Sequence, residues 1–180
     1  MKKVSMLLAL AMILFIAACG SRDADVEKIT ALEKELFSSS NSFDEKKANE
    51  LLGLYESFAD KHSKDSLAPI YLFKAAGVAK SLKKGEDAVR LYDRIINDYP
   101  ETKNMAMVYF MKAFVYDDEL KNITKAREAY TEFLKKYPDH EFADDAQINM
   151  NNLGKTDEQI IKEFEAKNQH LLDSLAEAQK

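Results

Sequence analysis

Two stretches of this chain repeat one another 38 residues apart, and no other feature limits its fold as tightly. Ile70–Pro100 aligns without a gap on Val108–Pro138. The alignment puts Tyr71 on Tyr109, Lys74-Ala75 on Lys112-Ala113, Ala88 on Ala126, Tyr92 on Tyr130 and Tyr99-Pro100 on Tyr137-Pro138. A fixed period of this size marks stacked units of secondary structure, because one unit alone cannot bury its apolar face. The units are expected to be helical. With no tryptophan, three prolines and five glycines in a chain rich in Ala, Leu, Lys and Glu, little in the composition favours strands.

Hydrophobic spacing places the helices. Val26, Ile29, Leu32 and Leu36 recur at three-to-four intervals and predict a helix over Val26–Phe37, preceded by a short tether, Gly20–Asp25. Ser38–Ser42 reads as a loop, and Ser42 with Glu45 forms a capping box for a helix over Phe43–His62. Gly53 inside that helix implies close packing against a neighbour. Ser66 caps a helix running to about Leu82, with Pro69 in its first turn, and Lys83-Lys84-Gly85 reads as a turn with glycine past the helix end. Helices over Glu86–Asp98, Thr102–Leu120 and Thr124–Lys136 follow. A third, decaying unit starts at Asp139 and ends at Gly154, and Thr156 with Gln159 caps a last helix over Asp157–Ala176. That helix carries Ile160, Ile161, Phe164, Leu171, Leu172 and Leu175 on one side, as a terminal cap.

The repeated residue types say how such helices pair. Alanine at Ala75, Ala88, Ala113 and Ala126 lets helix axes approach, while Tyr92 and Tyr130 fill the space between units and keep a polar tip. Tyr55 stands 37 residues before Tyr92 and extends the pattern to the preceding helix. The first helix of each pair is apolar almost all round. Either both sides pack on neighbouring helices, or one side, with Met107, Phe110 and Phe114, lines a groove for a partner segment.

The N-terminus carries a second strong signal. Met1-Lys2-Lys3 is followed by an apolar stretch, Val4–Ile16, and then by small residues before Cys19, the pattern of a secretory signal. The stretch is shorter than the ~20 residues that span a bilayer. Ile16-Ala17-Ala18-Cys19 resembles the lipobox of bacterial lipoproteins, which implies that Cys19 is the first mature residue and bears lipid. Cys19 is the only cysteine, so no intramolecular disulfide competes for it. Gly20 after it resembles outer-membrane sorting in proteobacteria. The whole chain has a net charge of −5, and loss of residues 1–18 removes Lys2, Lys3 and no acid. So acidic a body excludes nucleic acid as a partner and leaves membrane contact to Cys19.

Nothing in the sequence assembles a catalytic or metal site. His62, His140 and His170 are scattered, and no phosphate loop, nucleophile elbow or paired-cysteine zinc pattern is present. Asp139-His140-Glu141 reads as a solvated turn with a capping aspartate, and Asp117-Asp118-Glu119 and Asp144-Asp145 as solvated helix faces. No enzyme, cofactor or metal is expected.

At Ala88, Tyr92, Pro100 and Ala126, Tyr130, Pro138 the chain resembles the tetratricopeptide repeat family. That family's second helix has a small residue, an aromatic four on and a proline eight beyond. Tyr71, Ala75, Val78 and Tyr109, Ala113, Tyr116 are similar to its first-helix positions. Two features depart from the family: the period of 38 is longer than the usual 34, and Lys74 and Lys112 stand where leucine is usual. The longer unit closing on Tyr-Pro resembles an exported subgroup that includes BamD-type assembly lipoproteins and YbgF-type proteins of the Tol-Pal system. The resemblance covers about Lys46–Phe164. It implies an all-α superhelix of two clear repeats and one degenerate repeat with extra terminal helices. The divisions are a signal at 1–18, a lipidated tether and helix at 19–42, a repeat domain at 43–154 and a capping helix at 155–180.

By the same resemblance the protein is an envelope scaffold, lipid-anchored at the outer membrane and facing the periplasm, in the manner of outer-membrane protein assembly. Its partners are envelope proteins or peptide segments, met by Leu72, Lys80, Met107, Phe110, Phe114, Asp117 and Asp118. Two other readings stand beside it. One is a self-associating YbgF-type coordinator that uses Val26, Ile29, Leu32 and Leu36 as a coiled-coil seam; the other is a cell-surface lipoprotein for peptide or carbohydrate, with Ser21–Asp25 as an acidic export tag. A monomer or weak self-association is expected. Cys19→Ala is expected to move the protein from the membrane fraction to the soluble envelope fraction, or to stall processing. Unchanged membrane association with a free thiol would refute lipidation.

Overall fold

The computed structural model describes residues 21–38 and 43–178, with side chains to Gln169. The signal segment, Cys19, Gly20 and the Ser42 cap lie outside these residues. Eight α-helices and no strand make up the described chain. They are α1 (21–38), α2 (Glu45–Lys61), α3 (Ala68–Ser81), α4 (Gly85–Asp98), α5 (Met105–Asp118), α6 (Ile123–Lys136), α7 (Ala143–Asn152) and α8 (Asp157–Ala178). From α2 to α7 each helix packs on the next in sequence, while α8 makes no comparable contact. The units are the pairs α3–α4 and α5–α6, as the 38-residue period predicts.

The core is built where the repeat places it. Tyr55, Tyr92 and Tyr130 project from α2, α4 and α6 and are 1%, 1% and 0% exposed. Ala75, Ala88, Ala113 and Ala126 have no exposed surface, so the axes of each pair approach closely around them. First-helix rings meet these tyrosines: Tyr71 stacks on Tyr55 at 5.4 Å, and Phe73 meets Tyr92 edge-on at 5.7 Å. Offset and edge-on ring pairs add about 0.5–1.5 kcal/mol each beyond the area they bury.

Several local expectations are corrected. Helix α1 is already helical at Ser21, so Ser21–Asp25 is not a free tether. Arg22 donates from Nε to Asp65 Oδ2 at 2.9 Å and holds that carboxyl below the usual range, and His62 Nε2 lies 3.1 Å from Asp25 Oδ2. Ile29 and Leu36 are buried in the core, with Val26 and Leu32 packed beside them, so the stripe proposed as a coiled-coil seam is used inside the molecule. Asp44 caps α2 by accepting from the Lys47 N–H at 3.0 Å. At α3 the turn is held by Asp65, which accepts from the Leu67 N–H, and Ser66 does not cap. The Phe142 N–H is met by His140 Nδ1 at 3.2 Å, so the histidine and not Asp139 serves that turn. The capping box of α8 forms as read: the Thr156 N–H donates to Gln159 Oε1 and the Gln159 N–H to Thr156 Oγ1.

The turns between paired helices differ from the glycine-terminated form. Lys83 and Lys121, equivalent in the repeat, take the left-handed conformation (φ 59° and 48°). After α3 this gives a Schellman closure, with the Lys84 N–H bonded to the Ala79 carbonyl at 2.9 Å. Gly85 is not past the helix end but opens α4, where it is buried under the next unit. A Cβ there would meet Leu120 Cδ2 at 2.7 Å and Glu119 Cβ at 3.3 Å. Gly154 ends α7 at φ +78°, as read.

The two lysines that stand in place of leucine are inter-unit ties. Lys112 reaches back from α5 to Asp93 on α4 at 2.6 Å, and Lys74 from α3 to Glu33 on α1 at 2.8 Å. Arg90–Glu56 (2.8 Å) and Arg94–Asp60 (2.7 Å) link α4 to α2 in the same way. Pairs this exposed are worth about 0–1 kcal/mol each, so they set stacking angle more than stability.

Gly53 is exposed with nothing within 4 Å of an added Cβ, contrary to the close packing expected of it. Gly53→Ala is therefore expected to stabilise the fold by about 0.5–1 kcal/mol. Gly85→Ala is expected to cost about 1–3 kcal/mol by overpacking against Leu120. Urea unfolding of both variants checks the contrast, and two changes of the same sign would contradict it.

Candidate functional site

At the C-terminal half of the array, α5, α6, α7 and α8 enclose a cleft of about 500 Å³. Its apolar wall is Phe114, Ile123 and Ile160; Asp117 and Asp118 supply carboxylates, and Asn149, Lys121 and Lys155 complete the polar side. The helical period explains the grouping on α5, since residues three and four apart share a face. Phe114 and Asp118 are one turn apart, and Asp117 follows Phe114 by three.

Lys80 enters from the preceding unit. Its Nζ sits 4.4 Å from the centroid of the Phe114 ring and 3.5 Å from Asp118 Oδ2. A cation over an aromatic face contributes about 0.5–1 kcal/mol where solvent reaches it. Lys80 and Asp118 are equivalent positions of successive units, so the tie joins one unit to the next. Asp117 faces the other way. Its Oδ2 lies 3.5 Å from the Tyr130 hydroxyl, which also accepts from Asn149 Nδ2 at 3.1 Å. Burial raises the Asp117 carboxyl above its ordinary value, with Lys121 opposing the shift in part. The acidic run read as a solvated face is thus mostly engaged, because Glu119 is nearly covered and pairs with Lys83 at 3.1 Å.

The seven residues expected to meet a partner separate into groups. Lys80, Phe114, Asp117 and Asp118 come together at this cleft. Met107 lines a second cleft of about 420 Å³ with Phe73, Met111 and His140. Phe110 is turned into the junction of α5, α6 and α7, stacked on Phe142 at 5.0 Å and edge-on to Phe133 at 5.6 Å. Met107, Phe110 and Phe114 therefore do not form one continuous groove stripe. Leu72 is fully buried in the core and presents no surface. Ile123, Asn149, Lys155 and Ile160 were not foreseen. Asn149 belongs to the decayed third unit, which has no periodic pattern to place it, and Ile123, Lys155 and Ile160 stand at the turns and helix starts on either side, where spacing along one helix gives no sign that they meet.

The arrangement suits binding. Carboxylates beside an aromatic ring and two isoleucines match a side chain with an apolar stem and a cationic end. Among the described residues no group of His, Cys, Asp and Glu is placed to hold a metal ion. No described helix is long and apolar enough to cross a membrane.

The sign of the Asp117 shift gives a test. A raised folded-state value means the folded chain binds more protons than the unfolded chain above the ordinary value of 3.8, so stability falls as pH climbs through that window. Asp117→Asn removes this cost. The variant is expected to melt higher than the parent at neutral pH, with the difference closing below the ordinary value of 3.8. Thermal melts across that range check it, and a lower melting point at neutral pH would show that the carboxylate is net stabilising.

A comparison with curated proteins found no match. The sequence model of the YfiO family, described as outer membrane lipoprotein, matches residues 69–172, from the first turn of α3 into α8. That span is more than half of the chain and holds both clear repeats and every residue of the cleft. On this match the chain belongs to the YfiO family of outer membrane lipoproteins.

Proposed function

We propose that this protein is a lipid-anchored scaffold of the outer membrane that holds other envelope proteins on its repeat array, in the service of outer-membrane protein assembly. Cys19 carries the lipid, the body faces the periplasm, and the protein binds without catalysing. One observation carries the reading: the cleft at Phe114, on the first helix of its pair, is left open in a fold whose second-helix tyrosines are buried. It presents an aromatic ring, two isoleucines and the carboxylates of Asp117 and Asp118, with Lys121 and Lys155 on the same lining. A basic segment of a partner, extended or helical, fits this chemistry, and added salt weakens its contact.

The alternatives lose their sequence basis. A self-associating coordinator needs the Val26–Leu36 stripe, which packs in the protein's own core. A surface-export tag needs a free Ser21–Asp25, whereas Arg22 and Asp25 are bonded to the α2–α3 region.

Phe114→Ser and Tyr130→Ala separate binding from folding. Tyr130→Ala is expected to cost about 3–5 kcal/mol, as for a buried aromatic. Phe114→Ser is expected to cost far less and yet to reduce capture of envelope proteins by the acylated protein after crosslinking in membranes. Equal loss of stability in the two variants would make Phe114 core and move the binding surface elsewhere.

A further inference from the structure

The start of α1 is clamped in place. Two consecutive Cα–Cα steps cover no more than about 8 Å, so Cys19 lies within that reach of Ser21, the first described residue of α1. Arg22 is bonded to Asp65 at 2.9 Å, and Asp25 is paired with His62 at 3.1 Å and Lys61 at 3.6 Å. All three partners belong to the α2–α3 turn or the residue before it. A lipid on Cys19 is thus tied by two covalent steps to the side of the molecule that bears that turn.

The turns of the array fall on two edges, because successive helices run in opposite directions. Residues 62–67, 99–104 and 137–142 share the edge at which α1 begins, and residues 82–84, 119–122 and 153–156 lie on the other. Between the first two turns of the α1 edge is an open cavity of about 690 Å³, lined by Lys64, Ile70, Tyr99, Pro100, Glu101 and Lys103 among others. Ile70 is 45% exposed there. Lysines stand beside Asp98 and Glu101 on this surface, so it offers partners to both phosphate and ammonium groups. Tyrosine next to apolar side chains is the pairing favoured at the level of lipid headgroups.

Resting on the reading of Cys19 as the lipidated residue, we infer that the array stands on the membrane by this edge. The cavity between the α2–α3 and α4–α5 turns is seated on a zwitterionic phospholipid surface, and the opposite edge points into the aqueous space. The occupant follows from where the chain outside the structure ends, and from the mixed charge and exposed isoleucine of the cavity.

The chain has no tryptophan, so one introduced indole reports position. The acylated full-length mature protein is reconstituted into vesicles of phosphatidylethanolamine and phosphatidylcholine that contain a headgroup spin-labelled lipid. Ile70→Trp, with Lys103→Trp as a second reporter should the first fold poorly, is expected to be quenched several-fold more than Thr124→Trp on the opposite edge. A Gly/Ser spacer of about twelve residues, with a reach near 20 Å, placed between Gly20 and Ser21 is expected to equalise the two. Mass measurement of the purified chain separates the failures. An unacylated Cys19 overturns the anchor reading and this inference with it. Acylated protein with equal quenching at both edges overturns the orientation alone and leaves the α1 edge free for a protein partner.

Discussion

The tyrosine that α2, α4 and α6 each bury against an aromatic ring of a first helix is the interaction on which the rest of this structure depends. A helix pair with alanine at its crossing brings two axes close but leaves a cleft on either side of the contact. Tyr55, Tyr92 and Tyr130 fill that cleft with a ring and meet a first-helix aromatic in doing so. Their spacing along the chain sets the spacing of the units. Each ring is covered by side chains from more than one helix, so no single pair is a complete fold and stability builds along the stack. The same logic explains why the ends differ: α1 closes one end by burying Ile29 and Leu36, and α8 leaves Ile161 and Phe164 exposed at the other.

Charge acts on a second level. Ion pairs between neighbouring units join α3 to α1, α4 to α2, α5 to α4 and α3 to α5. Each is weak alone, yet their geometry is met at only one stacking angle, so they select among packings that the apolar core tolerates equally. Lysine in place of the usual leucine belongs to this level. It trades a small apolar contact for a directional one.

The proposed binding cleft and the proposed membrane edge use different consequences of this frame. The cleft exists because the third unit is too degenerate to plant a fourth tyrosine, so Phe114 is left beside Asp117 and Asp118 without a full cover. The edge is defined by the start of α1, which part-buried polar contacts join to the α2–α3 turn. A lipid-anchored scaffold gains from both, since attachment by one edge would set the direction in which its open cleft faces.

How much of this was legible in the sequence follows from the range of each interaction. The helices, their order, the tyrosine and alanine core and the capping box at Thr156 and Gln159 are local or periodic facts, set by side-chain spacing along one helix, and they were readable at once. The roles of Lys74 and Lys112, the burial of Gly85 under Leu120 and the use of the α1 stripe within the core were not, because each joins residues of different units that no local spacing relates. Leu72 and Phe110 show the limit most clearly. On a helix apolar all round, periodicity cannot say which side is covered, and Phe142 and the core around Leu72 decided it. Sequence by itself determined that the chain is a stack of helical pairs with a lipobox-like start. Only the tertiary structure decided which apolar residues remain open and against which turn α1 begins, because both depend on the way one unit packs on the next.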